Sequence, residues 1–158
     1  MSPKYRLRAA SESDRAWLRW LHHATMRDAV ESMWGWDEAA QDTLFDGSFT
    51  TENLQIIQAE ARDVGVIAVT RRPSELFLDN IQIVPDCQGQ GLGTALISDL
   101  QGQARDEGIP VALRVIVSNR ARMLYERLGF VVTGQSDTHY YLHWSADSHP
   151  DNRPRMHA

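Results

Sequence analysis

Gly89, Gly91 and Gly93 fall within five residues of one another in the stretch "IVPDCQGQGLGTALISDL". An apolar run precedes them and a helical pattern follows. Glycine is entropically costly to order, so three at a strand-to-helix junction imply a use for bare backbone. Amides at a helix N-terminus can bind an anion, because they are unpaired and carry the positive end of the helix dipole. Two well-defined phosphate loops are excluded. The dinucleotide fingerprint needs a third glycine where, counting from Gly89 and Gly91, this chain has Thr94. The Walker A loop needs Gly-Lys-Ser/Thr, and the stretch contains no lysine. An amide cradle for some other phosphate ligand remains, beside a plain strand-to-helix turn.

Other residue sets point less sharply. Cys87 is the only cysteine, which excludes an intramolecular disulfide and a Cys-rich zinc site. Its place beside the glycines admits a nucleophile reading. In "SMWGWDE", Trp34 and Trp36 flank Gly35, and Asp37 and Glu38 follow. They suit the wall of a pocket for a cationic amine, or equally two packed indoles and a helix cap. His22 and His23 fit helix-surface or core positions, and no residue set has metal-ligand spacing. The net charge of -5 gives no support to nucleic-acid binding. No apolar run reaches membrane-spanning length, and the N-terminus lacks the apolar segment of a signal peptide. No membrane partner and a cytoplasmic location are therefore expected.

The elements that must position these residues can be read from periodicity. Residues 5–10 alternate as a strand. "SESD" offers a cap for a helix over 14–30, reaching as far as 33, and Asp37 caps a second helix to about Phe45. Three apolar runs, 53–61, 64–72 and 75–84, are broken by the turn-forming segments "RD" and "RRPSE" and form an antiparallel meander. The glycines open a helix with Leu92, Ala95, Leu96, Leu100 and Ala104 on one face, stopped at Gly108. Residues 111–117 read as a buried strand, 119–128 as a helix, and 130–136 with 139–144 as a closing strand pair. A helix between the strands ending at Val84 and starting at Val111 makes those two parallel. The fold class is a mixed-sheet α/β or α+β domain, order β-α-α-β-β-β-α-β-α-β-β, over residues 1–144. Residues 145–158 read as a disordered tail.

"QGQGLG" after "IVPD" closely resembles the acyl-CoA signature of the GNAT (GCN5-related N-acetyltransferase) superfamily, with Gln88, Gly91 and Gly93 at its fixed positions. "VSNRARMLYERLGFVV" is similar to that family's later motif, in which Asn opens a helix and Leu-Tyr-x-x-x-Gly-Phe closes it. The element order looks like the same fold. Cys87 departs from the family, which most often has an aromatic residue there.

The resemblance implies an acetyl-CoA-dependent N-acetyltransferase with no metal. Acetyl-CoA would lay its pyrophosphate on the amides of Gln88, Gly89, Gln90, Gly91, Leu92, Gly93 and Thr94. Its pantetheine arm would pair with the backbone of Ile83 and Val84, where the parallel strands splay, and Asn119 would hold the arm. Tyr125 is the candidate acid for the leaving thiolate, since a phenol keeps its proton at neutral pH. The Ile83 amide is the candidate donor to the carbonyl oxygen.

Asp79 is the candidate base or ammonium anchor, with His139 as the other choice. Strict alternation puts Asp79 on one face with Ile81 and Ile83, opposite Leu78, Asn80 and Gln82. Trp34, Trp36, Asp37 and His139 are assigned to the acceptor pocket. The acceptor would be a small-molecule or peptide primary amine, attacking directly in a ternary complex with no enzyme thiol involved. A homodimer follows by analogy with the superfamily. Two alternatives stand beside this reading: a non-catalytic CoA-binding sensor of the same fold, and a nucleotide-binding protein.

Overall fold

The computed structural model describes residues 3–148. Seven strands form one sheet in the order β1-β2-β3-β4-β5-β7-β6. They are β1 (Arg6–Ala9), β2 (Leu54–Ala59), β3 (Arg62–Arg72), β4 (Glu75–Ile83), β5 (Val111–Ile116), β6 (Val131–Gln135) and β7 (His139–Trp144). The helices are α1 (Arg15–Trp34), α2 (Glu38–Ser48), α3 (Leu92–Glu107) and α4 (Ala121–Arg127). This is the expected element order, and β4 and β5 are the expected parallel pair.

The sheet is the central layer. On one face α1 lies over β4, where His22 meets Gln82 at 3.3 Å. On the other face α3 lies so close that a Cβ at Gly93 would stand 3.6 Å from Ile83 and 3.4 Å from Leu124 of α4. The core between the layers is apolar, with Leu21, Ile56, Ile57, Leu76, Ile97 and Trp144 essentially sealed from solvent. The face of α3 anticipated from its periodicity is buried as a set, and Gly108 ends the helix in the left-handed region at φ 69°.

Local chemistry sets the boundaries. The Ser11 amide donates to the Asp14 carboxylate at 2.8 Å, opening a short 3-10 turn (Glu12–Asp14) that leads into α1. Arg8 bridges Asp14 and Asp63, at 2.9 Å each, so it ties β1 to the start of α1 and to β3. The Arg8 guanidinium holds the Asp14 carboxyl down at about 2. Gly65 sits where β3 presses on β4, and a Cβ there would come within 2.3 Å of the Gln82 carbonyl oxygen.

Three expectations need correction. The turn between β2 and β3 is not at Arg62 and Asp63, which lie inside β3. It is at Glu60 and Ala61, both left-handed with φ 52° and 64°. The pairing of Gln58 with Asp63 fixes that register and forces the chain to reverse between them. Residues 146–148 form a 3-10 turn and are not part of a disordered tail; the rest of the predicted tail, 149–158, lies outside the described residues. The face assigned to Asp79 is also wrong. Val69 pairs with Leu78 and Ala68 with Asn80, so Asp79 is an extra residue in β4 with no partner on β3. Such a bulge resets the alternation, and Asp79, Asn80 and Gln82 all border the cavity beneath α1 and α2.

Candidate active site

β4 and β5 are paired only from Leu76 to Leu78, against Val111 to Leu113. β4 runs on to Ile83 and β5 to Ile116, so the two strands part immediately after Leu78, where Asp79 bulges. The Val84 amide donates back to Val64 of β3 at 2.8 Å. By alternation the Ile83 amide faces the opened edge toward β5.

The glycine loop closes one end of this gap. After a 3-10 turn (Pro85–Cys87), Gln88 Nε2 donates to the Ile83 carbonyl at 2.8 Å and Gln90 Nε2 to the Asp86 carbonyl at 3.2 Å. These side chains bind the loop back onto the end of β4. Gly89 and Gly91 take φ of 75° and 86°, which a side chain would strain. The first helical bond of α3 is Ala95 N–H to Gly91 O. Among the described residues nothing accepts from the amides of Gly89, Gln90, Gly91, Leu92, Gly93 or Thr94, and no side chain caps the helix. By contrast α2 is capped, with the Asp37 carboxylate accepting from the Ala40 amide at 3.0 Å. A run of free amides, opened by glycines and left without a cap, fits the pyrophosphate of a CoA-like ligand.

Cys87 does not fit a nucleophile. Burial and the neighbouring Asp86 push its thiol pKa up, and Arg62 spans Asp86 at 3.0 Å and the sulfur at 2.8 Å. Asn119 uses its side-chain oxygen on the Ala121 amide at 2.9 Å, which fixes the start of α4 and leaves its NH2 group to point elsewhere.

Tyr125 lies on α4, 6% exposed, with its ring edge against Phe130 at 5.8 Å. Burial raises its phenol to about 12, and no described residue hydrogen-bonds the hydroxyl. Buried Gln101 of α3 donates to the Leu128 carbonyl at 2.8 Å and anchors the end of α4, hence the position of Tyr125. Asp79 is exposed and accepts from the Thr70 hydroxyl at 2.5 Å.

A cavity of about 860 Å³ lies between α1, α2 and the sheet. Its walls are apolar, with Leu18, Met26, Trp34, Leu44, Phe45 and Phe49. Polar groups gather on the sheet side: Asp79, Asn80, Gln82 and Arg114, with His22 above them. Burial, and secondarily His23, hold the His22 imidazole below its ordinary pKa. Of the four residues assigned to the acceptor pocket, only Trp34 borders it. Trp36 turns onto His23 at 5.1 Å and donates to Glu38 at 2.6 Å, while Asp37 serves as the helix cap. His139 pairs with cavity-lining Ile116 and bonds Thr138 at 2.7 Å, but does not itself line the cavity. Burial, and secondarily Arg114, keep its imidazole pKa low.

Sequence reasoning assigned no site role to His22, Asn80, Gln82 or Arg114. Only Arg114 carried a signal, as the one charged residue in an otherwise apolar strand. One His–carboxylate cluster also escaped it. His23 Nε2 lies 2.7 Å from Asp42, near Glu38, where it joins α1 to α2.

Comparison with known proteins agrees with this geometry. The chain is similar to a [ribosomal protein bS18]-alanine N-acetyltransferase of Haemophilus influenzae, 44% identical over 79 residues, covering 49% of this chain and 53% of that one. It is 47% identical over 58 residues to the L-amino acid N-acyltransferase MnaT of Escherichia coli, covering 35% and 34%. The chain thus matches about half or less of the length of these curated relatives. In fold it is similar to a PaiA N-acetyltransferase of Thermoplasma acidophilum solved with coenzyme A, at TM-score 0.74, 14% identity, and 90% and 99% coverage. The ribosomal-protein-S18-alanine N-acetyltransferase of Escherichia coli superposes at TM-score 0.60, with 20% identity and coverage of 89% and 92%. Residues 28–143 match the acetyltransferase (GNAT) domain, and the chain belongs to that family.

Proposed function

We propose that the protein is an N-acetyltransferase that passes the acetyl group of acetyl-CoA directly to a primary amine. The observation that carries this reading is the gap between β4 and β5 beyond Leu78, opening onto the uncapped amides of α3. A strand-like thioester arm and its diphosphate would need both features in that order. The coenzyme A in the PaiA relative's structure supports the same assignment. The relatives' names point to amino groups of a protein terminus or of an amino acid.

In the proposed reaction the amine nitrogen forms a bond to the acetyl carbon and the carbon–sulfur bond breaks. An alkylammonium has no lone pair to attack with, so a proton must first leave it. Asp79, at the mouth of the gap and open to water, suits that role, directly or through water. The Ile83 amide is free on the open edge to stabilise the oxygen as it gains charge. The Tyr125 phenol, protonated throughout the neutral range, supplies the proton for the departing thiolate.

The test is release of free CoA from acetyl-CoA across a panel of amines, with the acetylated product identified by mass. Turnover on at least one amine is expected. Tight acetyl-CoA binding with no turnover on any amine would favour the non-catalytic sensor instead.

A further inference from the structure

Arg114 and Asp79 border the same cavity with opposite charges, and neither has an oppositely charged partner among the described residues. Asp79 accepts only from the uncharged Thr70 hydroxyl. Arg114 has no carboxylate partner among the described residues, and its positive charge disfavours the His139 imidazolium. Their placement follows from the strands. Leu78 and Leu113 are the last pair of the parallel ladder, and Asp79 and Arg114 are the next residues on each side of the split. One charge therefore stands on each lip of the gap. Arg8, Arg15, Arg62, Arg71 and Arg122 each have an acidic partner; among the described residues Arg6, Arg105, Arg120 and Arg127 lack one as Arg114 does, but of these five only Arg114 borders the cavity.

Resting on the acetyltransferase reading above, we infer that the acceptor is a free amino acid with a bulky apolar side chain. Its ammonium is received by Asp79 and its carboxylate by Arg114. An ammonium alone would leave Arg114 unexplained, and a guanidinium fork matches a carboxylate in geometry as well as charge. The remaining wall is apolar and aromatic, and the volume of about 860 Å³ exceeds what a small side chain fills. The neutral His22 beside Gln82 adds polarity without a third charge. A peptide N-terminus has an amide in place of the carboxylate and would leave Arg114 unpaired. Asp79 faces water, so it can pass on the ammonium proton once the amine is held, and the acetyl group then moves from sulfur to nitrogen as written above.

The experiment measures CoA release with L-phenylalanine, L-phenylalaninamide, phenethylamine and an alanine-initiated tetrapeptide, in the wild-type chain and in Arg114→Gln and Arg114→Lys. The free acid should exceed the amide in kcat/KM by about 10- to 100-fold, the size of one charge-assisted contact. That ratio should fall to near one in Arg114→Gln and recover in part in Arg114→Lys. Circular dichroism establishes that each variant is folded. Equal use of acid and amide, a ratio that survives Arg114→Gln, or turnover of the tetrapeptide alone would overturn the inference while leaving the acetyltransferase reading intact. No turnover on any amine, together with no binding of acetyl-CoA, would remove both.

Discussion

Leu78 and Leu113 form the last pair of the β4–β5 ladder, and the charged residues Asp79 and Arg114 come next on the two strands. The strands separate, a bulge turns Asp79 toward the cavity, and Arg114 occupies the opposite lip. The helix that follows β4 begins without a cap. In the proposed reading a single interruption of the ladder serves cofactor and acceptor alike.

Gly91→Ala should weaken acetyl-CoA binding. Gly91 has φ 86°, and a Cβ there meets only Pro3 at 3.7 Å, so the cost comes from the backbone and not from a clash. A left-handed alanine is strained by about 1–2 kcal/mol, and relief of that strain moves the amides out of line. The KM for acetyl-CoA should rise about tenfold, the factor that 1.4 kcal/mol represents, with little change in the KM for the amine.

Tyr125→Phe keeps the ring against Phe130 and removes only the hydroxyl, the proposed proton donor. The kcat should fall about 10²- to 10⁴-fold, the usual reach of a positioned acid, while both KM values stay close to wild type. Because burial holds the phenol near 12, deprotonation of Tyr125 should impose no loss of wild-type activity between neutral pH and pH 10. A pH–rate profile checks this directly.

The glycine loop was legible because its signal is local: three glycines and two glutamines at fixed spacing. So was the parallel pair of β4 and β5. The bulge was not, because an extra residue in β4 exists only relative to the register of β3, and strict alternation therefore put Asp79 on the wrong face. Trp34 and Trp36 looked alike in sequence, yet Gly35 at φ 78° turns the chain between them, and only Trp34 meets the cavity. The turn at Glu60 and Ala61 lacks glycine, asparagine and proline, so local chemistry could not locate it. Arg114 is the one charge in an apolar strand, but its lack of an acidic partner among the described residues is seen only in the packing.

Two glycine substitutions should move stability in opposite directions. Gly65→Ala drives a Cβ to 2.3 Å from the Gln82 carbonyl and should cost about 1–3 kcal/mol. Gly102→Ala, inside α3 with open space around it, should stabilise by about 0.5–1 kcal/mol. Denaturant midpoints of the two variants against wild type measure both shifts.

Acid should loosen the first strand before the rest of the sheet. Arg8 lowers the Asp14 carboxyl to about 2, below its unfolded value near 4. A depressed folded pKa gives stability that is present above the unfolded value and is lost as pH falls toward about 2. Asp14→Asn should cost about 1–3 kcal/mol at neutral pH, the worth of hydrogen bonds to a charged group, and should flatten the stability profile between pH 4 and 2. Urea unfolding across that range is the measurement.

The central claim is that the gap between β4 and β5 and the start of α3 form one cofactor site. A crystal structure with coenzyme A tests it most directly. The diphosphate oxygens should lie within hydrogen-bond distance of the amides of residues 89–94, with the pantetheine arm between β4 and β5 beyond Leu78. Coenzyme A bound elsewhere, with those amides left empty, would contradict it.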